Sequence, residues 1–357
     1  MRRTSIVRTR VAAATVAGLL VLSACSLGGP TDDEDGLSGT LNILAYSGIW
    51  EQRFNESVIQ AFQEAHPNVT INYSSKRNSA EMLSDLVAQG DNTRTDVAIM
   101  DDSVTQSGNA QGVLAQFDET DVPNLAQVQD QFLDPDGYGP VLQLDAIGLI
   151  YDTEVFTEPP TSWEELWNPE WSGMVNLHAP PSMLGLAATA AASTLVGEDY
   201  TEGIDEGIEK LQELAPSVQT FSPSPDEWQH IITGQSVIGV GQNARAQYYA
   251  DQSDGQLGFA FPDEGSFYQL NTISMVDGAP NEEAAAAFID YALSDEAQLA
   301  FAEALFYAPS TDVDVPDELA ARLVATDGSV EILPLETEFL AEVRDPWTDI
   351  WKRDIIS

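Results

Sequence analysis

Two neighbouring carboxylates and one arginine are the side chains of this sequence best suited to bind a charged solute. Asp101 and Asp102 follow the apolar run 97–100, and Ser103 comes directly after them. Carboxylates can bind an ammonium group, while the forked guanidinium of Arg245 can hold a carboxylate or a phosphonate. Capping of a helix is the alternative role for the two aspartates, and a surface ion pair is the alternative for Arg245. The charges together suit a zwitterion with separated ends.

Aromatic and amide side chains near the ends of predicted strands complete the set of candidate binding residues. Tyr46, Trp50 and Tyr268 could form walls around a cation, because aromatic faces attract positive charge. Packing in the core is the alternative role for Trp50. Ligands of open α/β sheets bind outside the carboxyl ends of the strands, where several polar residues of this chain fall. These polar candidates are Ser47, Gln242, Asn243 and Asn271.

The residues needed for catalysis do not occur in a recognisable arrangement. The three histidines, His66, His178 and His230, lack the spacing of a metal-binding pair, and no serine elbow accompanies them. The sequence also has no phosphate-binding glycine loop and no Cys-x-x-Cys pair. We therefore expect no enzymatic activity, no cofactor and no bound metal, with a secreted lipoprotein enzyme as the alternative from another functional class.

The charge balance is strongly acidic. The chain has 58 acidic and 14 basic residues, which gives a net charge of −44. Nucleic acid is therefore not an expected partner, because phosphate binding requires a clustered cationic face. The acids are spread along the whole chain, and this distribution is typical of a solvated acidic surface.

The N-terminus has the organisation of a secretion signal. Four arginines precede an apolar run at 11–22, which is too short to span a membrane. The tetrapeptide 22–25, LSAC, resembles a bacterial lipobox, and this resemblance implies cleavage before Cys25 and attachment of lipid to its sulfur. An ordinary signal peptide is the alternative. We expect a signal peptide at 1–24, a flexible tether at 25–39, and anchoring by lipid to the outer face of the cell membrane.

The hydrophobic pattern predicts alternating strands and helices. Strands are predicted at 41–45, 69–73 and 96–100, with helices between them, and such an order favours a parallel sheet. A second unit begins with a strand at 147–151. It continues with an alanine-rich helix at 183–196 and a strand at 237–241.

Several phrases of the sequence occur in an order that resembles a known family. They are NILAYSGIWEQRFNESVIQAFQEAHPNVTINY at 42–73, DVAIMDDSVTQSGNAQGVLAQFD at 96–118, YDTEVFTEPPTSWEELWNPEWSGMV at 151–175, FPDEG at 261–265, and APNEEAAAAFIDYALSDEAQLAFAEALFYAPS at 279–310. Together they resemble the extracellular solute-binding proteins of ABC importers, in particular the group that includes the polyamine (spermidine and putrescine) receptors.

The resemblance implies an α/β fold with two lobes, the type II periplasmic-binding-protein-like fold, with a ligand cleft between the lobes. Two hinge crossings are expected, near Leu144-Asp145 and near Asn271. The first lobe would comprise 40–143 and 272–308. The second lobe would comprise 144–271 and 309–357, including the C-terminal helices. The implied protein is a monomer that passes a small-molecule ligand to an ABC permease in the membrane.

The sequence departs from the polyamine receptors at several ligand positions. Gln269 and Gln242 stand where aromatic residues are expected, Asn271 replaces an aspartate, and the stretch 178–185 is not acidic. We therefore expect a small amine-bearing solute that is either polyamine-like or amino-acid-like. Ferric iron is an alternative ligand, because Tyr248-Tyr249 resembles the tyrosine pair of related iron receptors.

Overall fold

A mixed β-sheet runs through the part of the chain that the computed structural model describes, which is residues 36–224, 226–335 and 337–356. Cys25, the leader and most of the tether lie outside these residues. The first strand begins at Gly39, two residues before the predicted start. The strands are β1 (Gly39–Tyr46), β2 (Val69–Lys76), β3 (Val97–Asp101), β4 (Leu114–Ala115), β5 (Val141–Asp152), β6 (Val175–Asn176), β7 (Val218–Thr220), β8 (Ile238–Gln242), β9 (Leu257–Ala260), β10 (Phe267–Val276) and β11 (Ala308–Pro309).

Helices follow most of the strands and cover the sheet. The α-helices are α1 (Ile49–Phe54), α2 (Gln60–Ala65), α3 (Ser79–Gln89), α4 (Asp102–Ala110), α5 (Met183–Val196), α6 (Asp205–Leu214), α7 (Glu227–Ile232), α8 (Asn243–Gln252), α9 (Glu282–Ala292), α10 (Asp295–Leu305), α11 (Asp317–Ala320) and α12 (Thr337–Asp354). A π-helical segment, Asn55–Ile59, joins α1 to α2. Short 3-10 helices occur at Pro123–Gln127, Asp130–Phe132, Trp163–Trp167, Pro169–Trp171 and Ala215–Ser217.

The sheet combines parallel and antiparallel pairs. Its strand order is β2-β1-β3-β10-β5-β8-β6-β7, with β4, β9 and β11 attached to the long strands β10 and β5. The pairs β1–β2 and β1–β3 are parallel, as are β6–β7 and β6–β8. In contrast, β10 is antiparallel to both β3 and β5, and β5 is antiparallel to β8. Each parallel group therefore forms half of the sheet, and β5 and β10 join the halves.

Two main hydrophobic cores lie on either side of this join. Along β5, Leu144 and Ala146 pack in the first core, whereas Ile147 and Leu149 pack in the second. Strand β10 crosses in the opposite direction. Its Phe267 packs in the second core, whereas Ile273 packs in the first core. Both strands thus cross between the cores close to the positions expected for the hinges.

The C-terminal region is divided between the cores. Leu323 and Val324 pack in the first core, although 309–357 was expected to belong to the second lobe. Helix α12 packs in the second core through Leu340, Trp347 and Trp351. Because apolar contacts define a lobe, we propose that the boundary between the lobes falls between Ile332, which packs against the first core, and Leu333, which packs against the second.

None of the helices described here has both the length and the apolar character that a membrane span requires.

Close packing of β5 against β9 depends on a glycine. A Cβ atom added at Gly148 would lie 2.6 Å from the carbonyl oxygen of Ala260 and 2.7 Å from Cζ of Phe259. We predict that Gly148→Ala lowers the free energy of unfolding by about 1–3 kcal/mol, because overpacking forces the paired strands apart. Urea unfolding would measure the change. Gly203→Ala is the matched control, since its nearest neighbour would be 4.0 Å away. Equal stability of both variants would contradict this account.

Candidate functional site

A cleft of about 910 Å³ lies between the two cores. The starts of α3, α4, α5 and α8 open onto it, as do residues 268–270 near the start of β10 and the segment before α12. Seven of the predicted binding residues are joined here by residues that the sequence did not single out. The predicted residues on its wall, with Ser103, are Tyr46, Asp101, Asp102, Gln242, Arg245 and Tyr268.

Asp101 is held at one end of the cleft by a hydrogen-bond network. The Tyr46 hydroxyl lies 3.0 Å from Oδ1 of Asp101, 2.9 Å from Oδ1 of Asn271 and 2.8 Å from Oγ of Ser79. Ser79 donates to Oδ2 of Asp101 at 2.8 Å and accepts from the Asp101 backbone N–H at 2.9 Å. Burial and the Asp101 charge raise the pKa of Tyr46 well above its usual value, so the hydroxyl keeps its proton.

Two glutamines extend this network across the floor of the cleft. Nε2 of Gln242 donates to Oε1 of Gln269 at 2.5 Å, and Nε2 of Gln269 donates to Oδ1 of Asp101 at 3.3 Å. The chain of bonds runs from β8 through β10 to β3, and it therefore links the two halves of the sheet. At the positions where an aromatic wall was expected, this protein has amide groups that bond to each other.

Arg245 contributes a guanidinium to the second-lobe side of the cleft. Its Cζ lies 5.4 Å from the centre of the Trp228 ring, a distance at which the aromatic face attracts the cation. The charges of Glu227 and Asp145 act on it, although neither carboxylate forms an ion pair within 4.0 Å among the described contacts. Its Nε atom is buried and has no hydrogen-bond partner among the described residues.

Behind Arg245 lies a buried carboxyl group that the sequence analysis did not single out. Asp145 is 1% exposed, and its Oδ1 accepts from the backbone N–H groups of Ala146 at 2.7 Å and Ala244 at 2.9 Å. Its Oδ2 has no partner among the described residues. Burial raises the pKa of Asp145 to about 7, because the apolar surroundings disfavour the charged form.

Three further basic side chains line the cleft. Arg77 pairs with Glu81 at 2.9 Å and is mostly exposed, whereas His178 pairs with the buried Glu227 at 2.9 Å. Arg344 comes from α12 and has no carboxylate within ion-pair distance among the described contacts. The sequence does hold a signal for Arg344, because this arginine lies on a helix that also carries tryptophans. Its contact with 101–103 has no such signal, because the two segments lie far apart along the chain.

Four predicted binding residues do not lie on the cleft wall. Trp50 is 1% exposed and stacks on Phe54 with ring centres 4.5 Å apart, so it is a core residue rather than a wall. Ser47 donates its backbone N–H to the Lys76 carbonyl of β2 and is not part of the cleft lining. Asn243 and Asn271 are each 1% exposed, and they act behind the wall. Asn243 donates to the Arg322 carbonyl, while Asn271 contacts Tyr46.

The tyrosine pair considered for iron lies elsewhere. Tyr248 and Tyr249 line a separate hollow of about 380 Å³ beside the start of α1 and the second half of α7. The Tyr248 hydroxyl accepts from Nη2 of Arg53 at 3.2 Å. Within the described residues, no group of three or more histidine, cysteine, aspartate or glutamate side chains is placed to hold a metal ion. Neither tyrosine lines the cleft.

The sequence was compared with known protein families. Residues 57–324 match the family described as bacterial extracellular solute-binding protein, and this match covers most of the chain.

The chain belongs to this family.

Relatives and solved structures agree with this assignment. The solute-binding protein is 22% identical over 308 residues to spermidine/putrescine-binding periplasmic protein 1 of Haemophilus influenzae, covering 85% of this chain and 84% of that one. It is 28% identical over 169 residues to a gamma-aminobutyric acid-binding protein of Pseudomonas aeruginosa, covering 45% and 47%. An ABC transporter substrate-binding protein of Bradyrhizobium japonicum has a similar structure, with a TM-score of 0.76, 19% identity, and coverage of 88% and 99%.

These comparisons confirm the two-lobed α/β fold and the resemblance to the polyamine receptor group. The solute-binding protein is therefore the receptor component of an ABC importer, a class that binds a small ligand and meets a membrane permease outside the cytoplasm. Its relatives are transport proteins rather than enzymes.

The buried Asp145 carboxyl makes stability depend on pH in a specific direction. Its pKa is about 7 in the folded protein and about 4 in an unfolded chain. Between these values only the folded state binds the proton, so the carboxyl lowers the free energy of unfolding as the pH rises from 4 to 7. Asp145→Asn keeps the Oδ1 acceptor and does not titrate. As the pH rises from 5 to 8, we predict that the free energy of unfolding of Asp145→Asn increases by about 2 kcal/mol relative to that of the wild type.

Urea unfolding of both proteins at the two pH values would measure this gain. The exposed Asp277→Asn serves as the control, and we expect no comparable change for it. A constant difference between Asp145→Asn and the wild type across this range would show that burial does not govern the carboxyl.

Proposed function

We propose that this receptor captures a small solute with an amino group at one end and an anionic group at the other. The observation that carries the proposal is the charge arrangement of the cleft. Asp101 and Asp102 line it together with Arg245 and Arg344, two guanidiniums that form no ion pair with the described carboxylates. A ligand of both charges satisfies both sets of groups.

Asp101 provides the anchor for the amino group. An ammonium that leaves water for a cleft needs opposite charge and hydrogen-bond acceptors to offset its desolvation. The Asp101 carboxylate is already oriented by Tyr46, Ser79 and Gln269, and it can accept further bonds because a carboxylate has about four lone-pair positions. The adjacent Asp102 adds a second negative charge on the cleft wall.

The arginines favour a zwitterion over a polyamine. A polyamine carries only positive charges, so its distal amines would face Arg245 and Arg344. Gln242 and Gln269 stand at two positions where the polyamine receptors would offer aromatic faces. The similarity to a gamma-aminobutyric acid-binding protein supports a ligand with an amine and a carboxylate, although that relative matches less than half of this chain. The similarity to the spermidine/putrescine-binding proteins supports recognition of the amine end.

We further propose that Cys25 carries lipid that holds the receptor at the outer face of the cell membrane, as a monomer. The support comes from the basic and apolar leader and the LSAC tetrapeptide. A tether of about 14 residues would keep the receptor near its permease and raise the effective concentration of each for the other. Closure of the two lobes around the ligand, by bending at β5 and β10, would precede delivery.

A matched trio of four-carbon ligands tests the proposed specificity. We predict that 4-aminobutanoate binds, whereas 1,4-diaminobutane and succinate, which each carry only one sign of charge, bind at least tenfold more weakly. The physical reason is that either of them leaves one set of charged cleft groups without its partner. Isothermal titration calorimetry on the full mature chain at low salt would give the three dissociation constants.

Two variants test whether Asp101 binds the amino group of the ligand. Asp101→Asn should weaken 4-aminobutanoate binding by well over tenfold without loss of folding, while the exposed Asp277→Asn should leave it unchanged. Tighter binding of 1,4-diaminobutane than of 4-aminobutanoate would reject the zwitterion in favour of a diamine. Unchanged affinity in Asp101→Asn would mean that Asp101 only orients its neighbours.

The anchor has its own test. We predict that the full-length protein, produced with its leader in a bacterial host, remains with the membrane fraction, because two or more acyl chains hold it there. Cys25→Ser should release it into the soluble fraction or leave it with an uncleaved leader. Immunoblots of the fractions and incorporation of radioactive palmitate would report the result. Palmitate incorporation into Cys25→Ser would show that the lipid is attached elsewhere.

A further inference from the structure

The end of the chain forms one side of the cleft, which we call the C-terminal wall. Five of its six cleft-lining residues are apolar and one is an arginine. This composition contrasts with the opposite side, where Asp101, Asp102, Ser79 and Asn78 present polar groups. The members of the C-terminal wall are Ile332, Leu333, Pro334, Leu335, Leu340 and Arg344.

The C-terminal wall is held firmly against the second lobe. The Tyr200 hydroxyl donates to the Pro334 carbonyl at 2.6 Å, and the Leu333 N–H donates to the Ser266 carbonyl at 2.8 Å. Farther along α12, Nε1 of the buried Trp351 donates to Oγ1 of Thr189 at 2.9 Å. Because backbone and buried side-chain bonds fix both ends, the apolar surface is a preformed part of the cleft.

Arg344 lies where the two lobes face each other. Its Nη1 donates to the Pro181 carbonyl at 2.8 Å, on the second-lobe side, and its Nη2 lies 3.5 Å from Oγ of Ser103, at the start of α4. Both contacts are to neutral oxygens. A guanidinium has five N–H donors, so most of the hydrogen-bonding capacity of Arg344 is available to a ligand.

Arg344 is also better suited than Arg245 to bind the anionic group. The charges of Glu227 and Asp145 act on Arg245 and offset part of its attraction for an anion. Arg344 has no described carboxylate within ion-pair distance, although the chain has 58 acidic residues and only 14 basic ones. Among the described contacts Arg344 bonds only neutral groups, and it therefore keeps more of its attraction for an anion than Arg245 does.

We propose that the C-terminal wall binds an alkyl chain that ends in a carboxylate, with the methylenes against its apolar residues and the carboxylate on Arg344. This inference rests on the proposed function and narrows the ligand to an ω-amino acid with a long methylene chain. The amino group stays at Asp101, and the carboxylate takes the position between Arg344 and Ser103. Bridging these residues, which belong to different lobes, would favour the closed receptor.

The first expected result concerns chain length. 6-Aminohexanoate should bind about fifteenfold more tightly than 4-aminobutanoate, because it has two more methylenes and each buried methylene is worth about fourfold in affinity. Hexanoate, which has the alkyl chain and the carboxylate but no amine, should bind weakly but measurably. Calorimetry with the full mature chain would give all three dissociation constants.

The second expected result concerns Arg344. Arg344→Gln should weaken both 6-aminohexanoate and hexanoate at least tenfold, because it removes the charge-assisted bond to the carboxylate. Arg344→Lys should restore part of the affinity. Arg353→Gln is the matched control, since it changes the same charge on the same helix at an exposed position paired with Asp354. Thermal unfolding of each variant would confirm that α12 is still packed.

Three outcomes would overturn the inference. They are equal affinities of wild type and Arg344→Gln for hexanoate, no preference for the longer amino acid, and no binding of hexanoate to the wild type. The proposed function has a separate readout, because binding of 4-aminobutanoate that is lost in Asp101→Asn would support it in each of these cases. If hexanoate binding is lost in Arg344→Gln but not in Arg353→Gln, the result would support the proposal for the C-terminal wall even if the amino group adds nothing to the affinity.

Discussion

The pairing of β5 with β10 positions every part of the cleft. These two strands are the members of the sheet that pass from one core to the other, so the orientation of each lobe depends on their register. Residues that are far apart along the chain therefore meet: Asp101 of β3 pairs in register with Asn271 of β10. An interaction that bends or straightens this pair of strands changes the distance between the charged groups on the two sides.

Those parts of the fold that depend on local pattern could be predicted from the sequence. Helix α5 occupies the predicted range, because its many alanines and leucines have high helix propensity and Gly197 ends it in a left-handed conformation with φ of 80°. Asp101 and Asp102 were found because carboxylates directly after a buried strand mark the edge where ligands bind. The crossings at β5 and β10 followed from the resemblance and agree with the packing.

The remaining site residues depend on contacts that leave no local signal. Asp145 stands within a strand that is buried along its whole length, so nothing in the neighbouring residues distinguishes a titrating carboxyl from a structural one. Trp50 was counted among the binding residues because a tryptophan at the start of a helix can equally line a cleft or pack in a core. Only its stacking on Phe54 decides for the core. Arg344 meets Ser103 across 241 residues of sequence, a separation that propensity cannot bridge.

The position of α12 also couples the second core to the cleft. Trp347 and Trp351 of this helix pack in the second core, and the cleft wall lies just before them in the chain. Until that helix arrives, the second core lacks two of its largest buried side chains and the cleft has only one complete side. Ligand binding and the packing of α12 should therefore stabilise each other, because this side of the cleft exists only when the helix is in place.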